Sequence, residues 1–243
     1  MFDSSFLWKD TSNLVIIGNG ISRLNYPVEN VIYHDCLVGA CNAWYRDHEN
    51  YIVGMVDTRM VSEVLLSGRG NKNRYIILNK TIEGLEGQSR AENNDKNCRL
   101  RATYILALYN KYKNYFFLAD KHLDKEHICR RDTGVFITKV LLVLNPNIEN
   151  LFLIGFDFGA VSGSRKNNVY LGTENYAPVD AKTEEKKPRR QIDEFSKIME
   201  MYPTLNIYRV ECYEPKTYTL RFIGNRSIPN IRWVEFMERI GGE

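Results

Sequence analysis

The chain has 243 residues and 44% hydrophobic residues, enough apolar material to bury a sizeable core in a single domain spanning residues 1–243. A charged share of 26% and a formal net charge of +3 exclude a disordered chain or a fibre, and are too balanced to mark a nucleic-acid binder. Cys36, Cys41, Cys98, Cys129 and Cys212 form no CxxC pair, the histidines form no HExxH, and no apolar run or basic leader marks a membrane span or secretion. The expectation is a cytoplasmic protein with reduced thiols, no metal site and no cofactor.

Residues 14–17 are a β-branched apolar run ended by Gly18-Asn19-Gly20, which predicts a strand buried on both faces and a sharp turn. A second strand is predicted over 51–56, followed by a helix over 59–66 that Asp57 or Thr58 can cap. A third strand falls at 75–78, and residues 101–112 place Ala102, Ile105, Leu106 and Tyr109 at helical spacing. Asp132 or Thr133 can cap a buried helix reaching residue 144, which stops at Asn145-Pro146-Asn147 before a strand over 151–158. Periodicity is lost over 159–190, which predicts a long lid loop. A helix over 191–201 and strands at 205–210 and 231–236 complete the chain. Strands alternating with helices predict an α/β fold: a mostly parallel, Rossmann-like twisted sheet flanked by helices, with its ligand site beyond the carboxyl ends of the strands.

Gly18, Asn19, Gly20 and Ser22 follow the first strand directly, where backbone amides and small side chains meet a phosphate or a ribose; a plain tight turn explains the same glycines. Arg23 breaks GxGxxG, and no GxxxxGK[ST] is present, so the dinucleotide and P-loop signatures are both missing.

The run Ile16-Ile17-Gly18-Asn19-Gly20-Ile21-Ser22 resembles the GNGPS-type loop of the small bacterial sialyltransferases that use CMP-sialic acid, and of a wider group related to 6-hydroxymethylpterin diphosphokinases, with isoleucine in place of the usual proline. Cys41-Asn42-Ala43-Trp44-Tyr45 is similar to their CNQFY-like segment, whose asparagine contacts the nucleotide. Arg131-Asp132-Thr133-Gly134-Val135 and Ile154-Gly155-Phe156-Asp157-Phe158 are similar to their R-x-TSGV helix start and SGIDF strand. The likeness covers roughly the first two thirds of the chain and departs at defined places. Gly159 replaces a tyrosine that touches the donor phosphate, with Tyr170 and Tyr176 as counterparts of a second one; no histidine follows His127, so the general base falls to the region of Glu184 and Glu185.

The resemblance implies a nucleotide-sugar-dependent glycosyltransferase that works without a metal. Gly18, Asn19, Gly20, Ser22, Asn42, Asp57, Gly134, Asp157 and Tyr170 are then donor contacts, while Arg131, Thr133, Glu184 and Glu185 are catalytic groups. Asp157 can equally hold a ribose, hold a metal or brace the lid, and Arg131 can be a solvated arginine beside the cap. The basic run containing Lys186, Lys187, Arg189 and Arg190 is a solvated loop or an acceptor edge. As an edge it suits a polyanion such as DNA bearing a hydroxylated base, with Trp44 or Tyr45 near that base. Acidic surface glycan is the rival acceptor, a non-catalytic nucleotide- or nucleic-acid-binding module the rival class, and magnesium-dependent diphosphate transfer to a pterin a third reading.

Overall fold

The protein was analysed as a computed structural model that describes residues 9–91, 96–124, 128, 132–158, 168–170, 173, 176, 186–214, 222 and 227–241. The chain divides into two compact units, one containing Ala40–Leu144 and the other Lys9–Gly39 with Asn145–Glu243. Both are α/β, every strand pairing described within them is parallel, and the arrangement is Rossmann-like.

In the second unit, β1 (Asn13–Ile17) pairs with β6 (Asn150–Ile154), β6 with β7 (Asn206–Val210), and β7 with β8 (Asn230–Ile231). β1 and the last four residues of β6 are buried throughout, as continuous apolar runs require when both faces of a strand are covered. Register is fixed at the amino ends by an asparagine ladder. Asn206 Nδ2 donates to Asn150 Oδ1 at 3.1 Å, and Asn150 Nδ2 donates to Asn13 Oδ1 at 3.1 Å. Helix α6 (Lys186–Met201) buries Ile192, Phe195, Ile198 and Met199 at helical spacing. Its Phe195 ring meets Phe156 and Phe158 edge-on at 5.6 and 5.8 Å, which seats the helix on the segment leaving β6.

The first unit carries β3 (Ile52–Met55), β4 (Arg74–Ile77) and β5 (Phe116–Leu118), with β4 between the other two. Helix α1 (Thr58–Leu66) joins β3 to β4, and α2 (Asn79–Arg90) with α3 (Lys96–Tyr112) joins β4 to β5, ahead of the short α4 (Ala119–His122). Helix α5 (Thr133–Leu144) is buried without interruption from Thr133 to Leu142, as an all-round apolar helix must be. It lies close on β3 because Gly54 has no side chain: a Cβ there would fall 2.7 Å from Cβ of Ile137. Strand β2 (Leu37–Cys41) spans the boundary at Gly39 and Ala40.

Two expectations are corrected. Residues 186–190 are not loop: α6 begins at Lys186, and Pro188 is tolerated because the first-turn N–H groups have no intrahelical acceptor anyway. Residues 231–236 are not a strand either, since β8 ends at Ile231 and α7 (Trp233–Arg239) follows. Phe236 and Ile240 are buried at helical spacing, Glu211 Oε1 accepts the Trp233 N–H at 3.1 Å, and Arg239 pairs with Glu235 one turn back at 3.0 Å.

Candidate functional site

In the second unit the loop after β1 lies directly on the segment after β6. Gly18 N–H donates to the Ile154 carbonyl at 2.8 Å, and Gly20 N–H to the Gly155 carbonyl at 2.9 Å. The approach requires glycine: a Cβ on Gly20 would sit 2.4 Å from both Asp157 Oδ2 and the Gly155 oxygen, and one on Gly18 would sit 2.7 Å from the latter. Gly155 itself has φ of 68°. Asp157, 2% exposed, accepts the Ser22 N–H at 3.2 Å, the Ser22 hydroxyl at 2.5 Å and the Tyr213 N–H at 2.8 Å. Its carboxylate therefore braces the glycine loop. The loop is no open anion nest, because the amides of Gly18, Gly20 and Ser22 are turned towards the protein; among the described residues the Asn19 N–H has no acceptor.

Side chains of the same loop reach residues near 170. Asn19 Nδ2 donates to the Tyr176 hydroxyl at 3.2 Å, and the Asn19 carbonyl accepts the Val169 N–H at 2.9 Å. Arg23, 4% exposed, donates from Nη1 to the Gly18 carbonyl at 2.9 Å and from Nη2 to the Tyr170 hydroxyl at 2.9 Å, with its guanidinium 5.1 Å from the centre of the Tyr170 ring. Tyr170 and Tyr176, named from the resemblance, are both joined to the loop. Sequence reasoning used Arg23 only to exclude a motif, and its burial is the signal that was missing.

Beside them, Cys212 is buried and donates to the Leu153 carbonyl at 3.4 Å; burial first, and then Asp157, push its thiol up to about 11. Arg209, 1% exposed, pairs with Glu214 at 2.7 Å. Phe158 and Glu211, which follow β6 and β7, hold φ of 44° and 46°. Such left-handed backbone persists in non-glycine residues only where surrounding contacts fix it.

In the first unit, two motifs meet. Asn42, at φ 47° directly after β2, accepts the Thr133 hydroxyl at 3.0 Å through Oδ1. Asp132 caps α5 by accepting the Val135 N–H at 3.1 Å, and Gly134 is buried in the first turn with its carbonyl taken by the Thr138 hydroxyl at 2.7 Å. Asp57 is exposed and caps α1 through Arg59 N–H at 2.9 Å. The expectation that Trp44 or Tyr45 meets a base is overturned, because each is 1% exposed. Trp44 stacks on His48 at 4.1 Å, while Tyr45 donates to Glu63, which also pairs with Arg46 at 2.7 Å. Burial and then the Glu63 carboxylate push the Tyr45 phenol far up.

Arg131, Glu184 and Glu185 lie outside the described residues. Lys186 and Lys187 open α6, and Arg189 and Arg190 are exposed in its first turns. Among the described residues no group of three or more His, Cys, Asp and Glu is placed to hold a metal, and no helix is long and apolar enough to cross a membrane.

No family model matches the chain, and no curated protein matches it. Among solved structures, it is similar to the monofunctional alpha-2,3-sialyltransferase Cst-I from Campylobacter jejuni, at 14% identity over 83% of this chain and 76% of that one, with a TM-score of 0.46. The sialyltransferase CstII from Campylobacter jejuni, in complex with the substrate analogue cytidine-5'-monophosphate, is 14% identical over 82% of this chain and 79% of that one, with a TM-score of 0.38. A structure of CST-II with a trisaccharide acceptor and CMP covers 94% of this chain and 98% of that one, at 13% identity and a TM-score of 0.41.

Proposed function

We propose that the chain is a nucleotide-sugar-dependent glycosyltransferase that works without a metal. The observation that carries this reading is the pairwise meeting of the four motifs on which the resemblance rests. In the second unit the Gly18–Ser22 loop is built onto Gly155 and Asp157, and in the first unit Asn42 is joined to Thr133.

In the reaction an acceptor hydroxyl oxygen forms a bond to the anomeric carbon, the bond from that carbon to the phosphate oxygen breaks, and the nucleotide leaves with the electron pair. The hydroxyl proton passes to a carboxylate, the role assigned to Glu184 or Glu185, and the charge on the leaving phosphate is offset by Arg131 and the first turn of α5. Asn19 keeps its donor role through its backbone N–H, Asn42 through its amide nitrogen, and Gly20, Ser22 and Asp157 support the loop. Asp57, Gly134 and Tyr170 keep the donor role given by the resemblance.

The acceptor we propose is a polyanion, with DNA carrying a hydroxylated base as the specific case. It is supported by Arg189 and Arg190, exposed on a helical turn begun by Lys186 and Lys187. A surface glycan is the second reading, favoured by the burial of Trp44 and Tyr45, which removes the rings a base would stack on.

A thermal-shift screen against CMP-, UDP-, GDP- and ADP-sugars tests the donor, and a stabilising sugar nucleotide is the expected result. Label transfer from that donor to hydroxymethylated DNA, plain DNA and a neutral oligosaccharide then tests the acceptor. Neutralising Lys186, Lys187, Arg189 and Arg190 together should flatten the salt dependence of DNA affinity by up to roughly 3–4 units of slope. Efficient transfer to the neutral sugar, untouched by the charge change, selects glycan. Tight nucleotide binding without transfer to any acceptor selects the non-catalytic module.

A further inference from the structure

We propose that Arg23 is a positioning residue that aims the Asn19 N–H, the ligand-facing donor of the glycine loop, at a phosphate oxygen of the nucleotide. The phosphate rests on the function proposed above; the positioning does not.

The Gly18 carbonyl and the Asn19 N–H belong to one planar trans peptide unit and point in opposite directions. Whatever grips the carbonyl therefore fixes where the N–H points. Arg23 Nη1 holds that carbonyl at 2.9 Å, and Nη2 of the same fork holds the Tyr170 hydroxyl at 2.9 Å, beneath 4% exposure. The neighbouring amides are already committed, Gly18 N–H to Ile154, Gly20 N–H to Gly155 and Ser22 N–H to Asp157. The Asn19 N–H is left, with no acceptor among the described residues, and its plane is set by the arginine. A second tie crosses the same residue, since the Asn19 carbonyl accepts the Val169 N–H at 2.9 Å. One planar fork holds the nearby Gly18 carbonyl and the hydroxyl of Tyr170, 147 residues from Arg23 in sequence, which a single ammonium at the end of a flexible stem does not reproduce.

The test uses the full chain labelled with nitrogen-15 and compares the wild type with Arg23→Met, Arg23→Lys and Tyr170→Phe, without ligand and with CMP as probe. In Arg23→Met, amide exchange at Gly20 and Val169 should rise about tenfold while β4 and α5 keep their protection, and CMP affinity should fall about tenfold. Arg23→Lys should not restore either quantity, and Tyr170→Phe should shift both in the same direction by less. In the wild type the Asn19 amide resonance should move on adding CMP. Unchanged local exchange and affinity in both Arg23→Met and Tyr170→Phe would overturn the proposal, as would exchange rising equally throughout the protein. If Arg23→Met does not fold, Tyr170→Phe decides. If the wild type binds no CMP, that nucleotide reading falls while the exchange pattern still decides whether Arg23 holds the peptide plane.

Discussion

The Thr133 hydroxyl donates to the Asn42 side-chain carbonyl at 3.0 Å, so the first turn of α5 is tied to the residue that follows β2. Asn42 tolerates its φ of 47° better than a residue without a short polar side chain would. In urea unfolding, Asn42→Gly and Thr133→Val should show a coupling of about 0.5–1.5 kcal/mol in a double-mutant cycle. Asn42→Ala should cost about 1 kcal/mol more than Asn42→Gly, because only glycine escapes the left-handed penalty. Additive losses would mean that the hydrogen bond contributes nothing.

Asp157 gathers donors from Ser22 and from the Tyr213 backbone while 2% exposed. Asp157→Ala leaves both buried Ser22 donors and the part-buried Tyr213 N–H without their acceptor and should cost about 3 kcal/mol, whereas Ser22→Ala should cost about 1 kcal/mol. Denaturant titration of both variants measures this. A loss below about 1 kcal/mol for Asp157→Ala would return the carboxylate to ligand duty.

Glycines at different places should respond in opposite directions. Gly20→Ala puts a methyl 2.4 Å from Asp157 and should destabilise by about 2 kcal/mol or more, while Gly84 and Gly87 in α2 have nothing within 4 Å of an added Cβ. Alanine at either helical position should stabilise by about 0.5–1 kcal/mol. Thermal melting of the three single variants gives the signs directly.

The Cys212 thiol, pushed up to about 11 from 9.0 chiefly by burial, holds its proton more tightly in the folded protein. That contribution is complete below pH 9 and is lost as pH rises through 11, a fall of roughly 2 kcal/mol by the upper end of this window. Cys212→Ser, which does not titrate there, should flatten the decline in unfolding free energy. A decline of the same slope in the variant would assign it to the other buried groups raised by burial, the Cys36 thiol, pushed up to about 12, and the Tyr75 phenol.

Features that depend on neighbours in sequence were determined by the sequence itself. The apolar runs of β1 and β6 identify buried parallel strands, and Asp57 and Asp132 identify helix starts because a cap reaches an N–H two or three residues away. The glycines at 18 and 20 mark a close approach without naming what approaches. Tertiary structure decided the rest. Helix α2 is hidden in sequence by Gly84 and Gly87, yet forms because Thr81, Ile82 and Leu85 are buried and the Asp120 carboxylate accepts the Asn79 N–H. Trp233–Arg239 is too short for periodicity to separate helix from strand, and packing of Phe236 chooses helix. Asp157 and Arg23 read locally as a carboxylate for a ribose, a metal or the lid and as a motif-breaking cation. Their partners Ser22 and Tyr170 lie 135 and 147 residues away, and only the folded chain brings such groups out of water together, where a buried charge must find its hydrogen bonds.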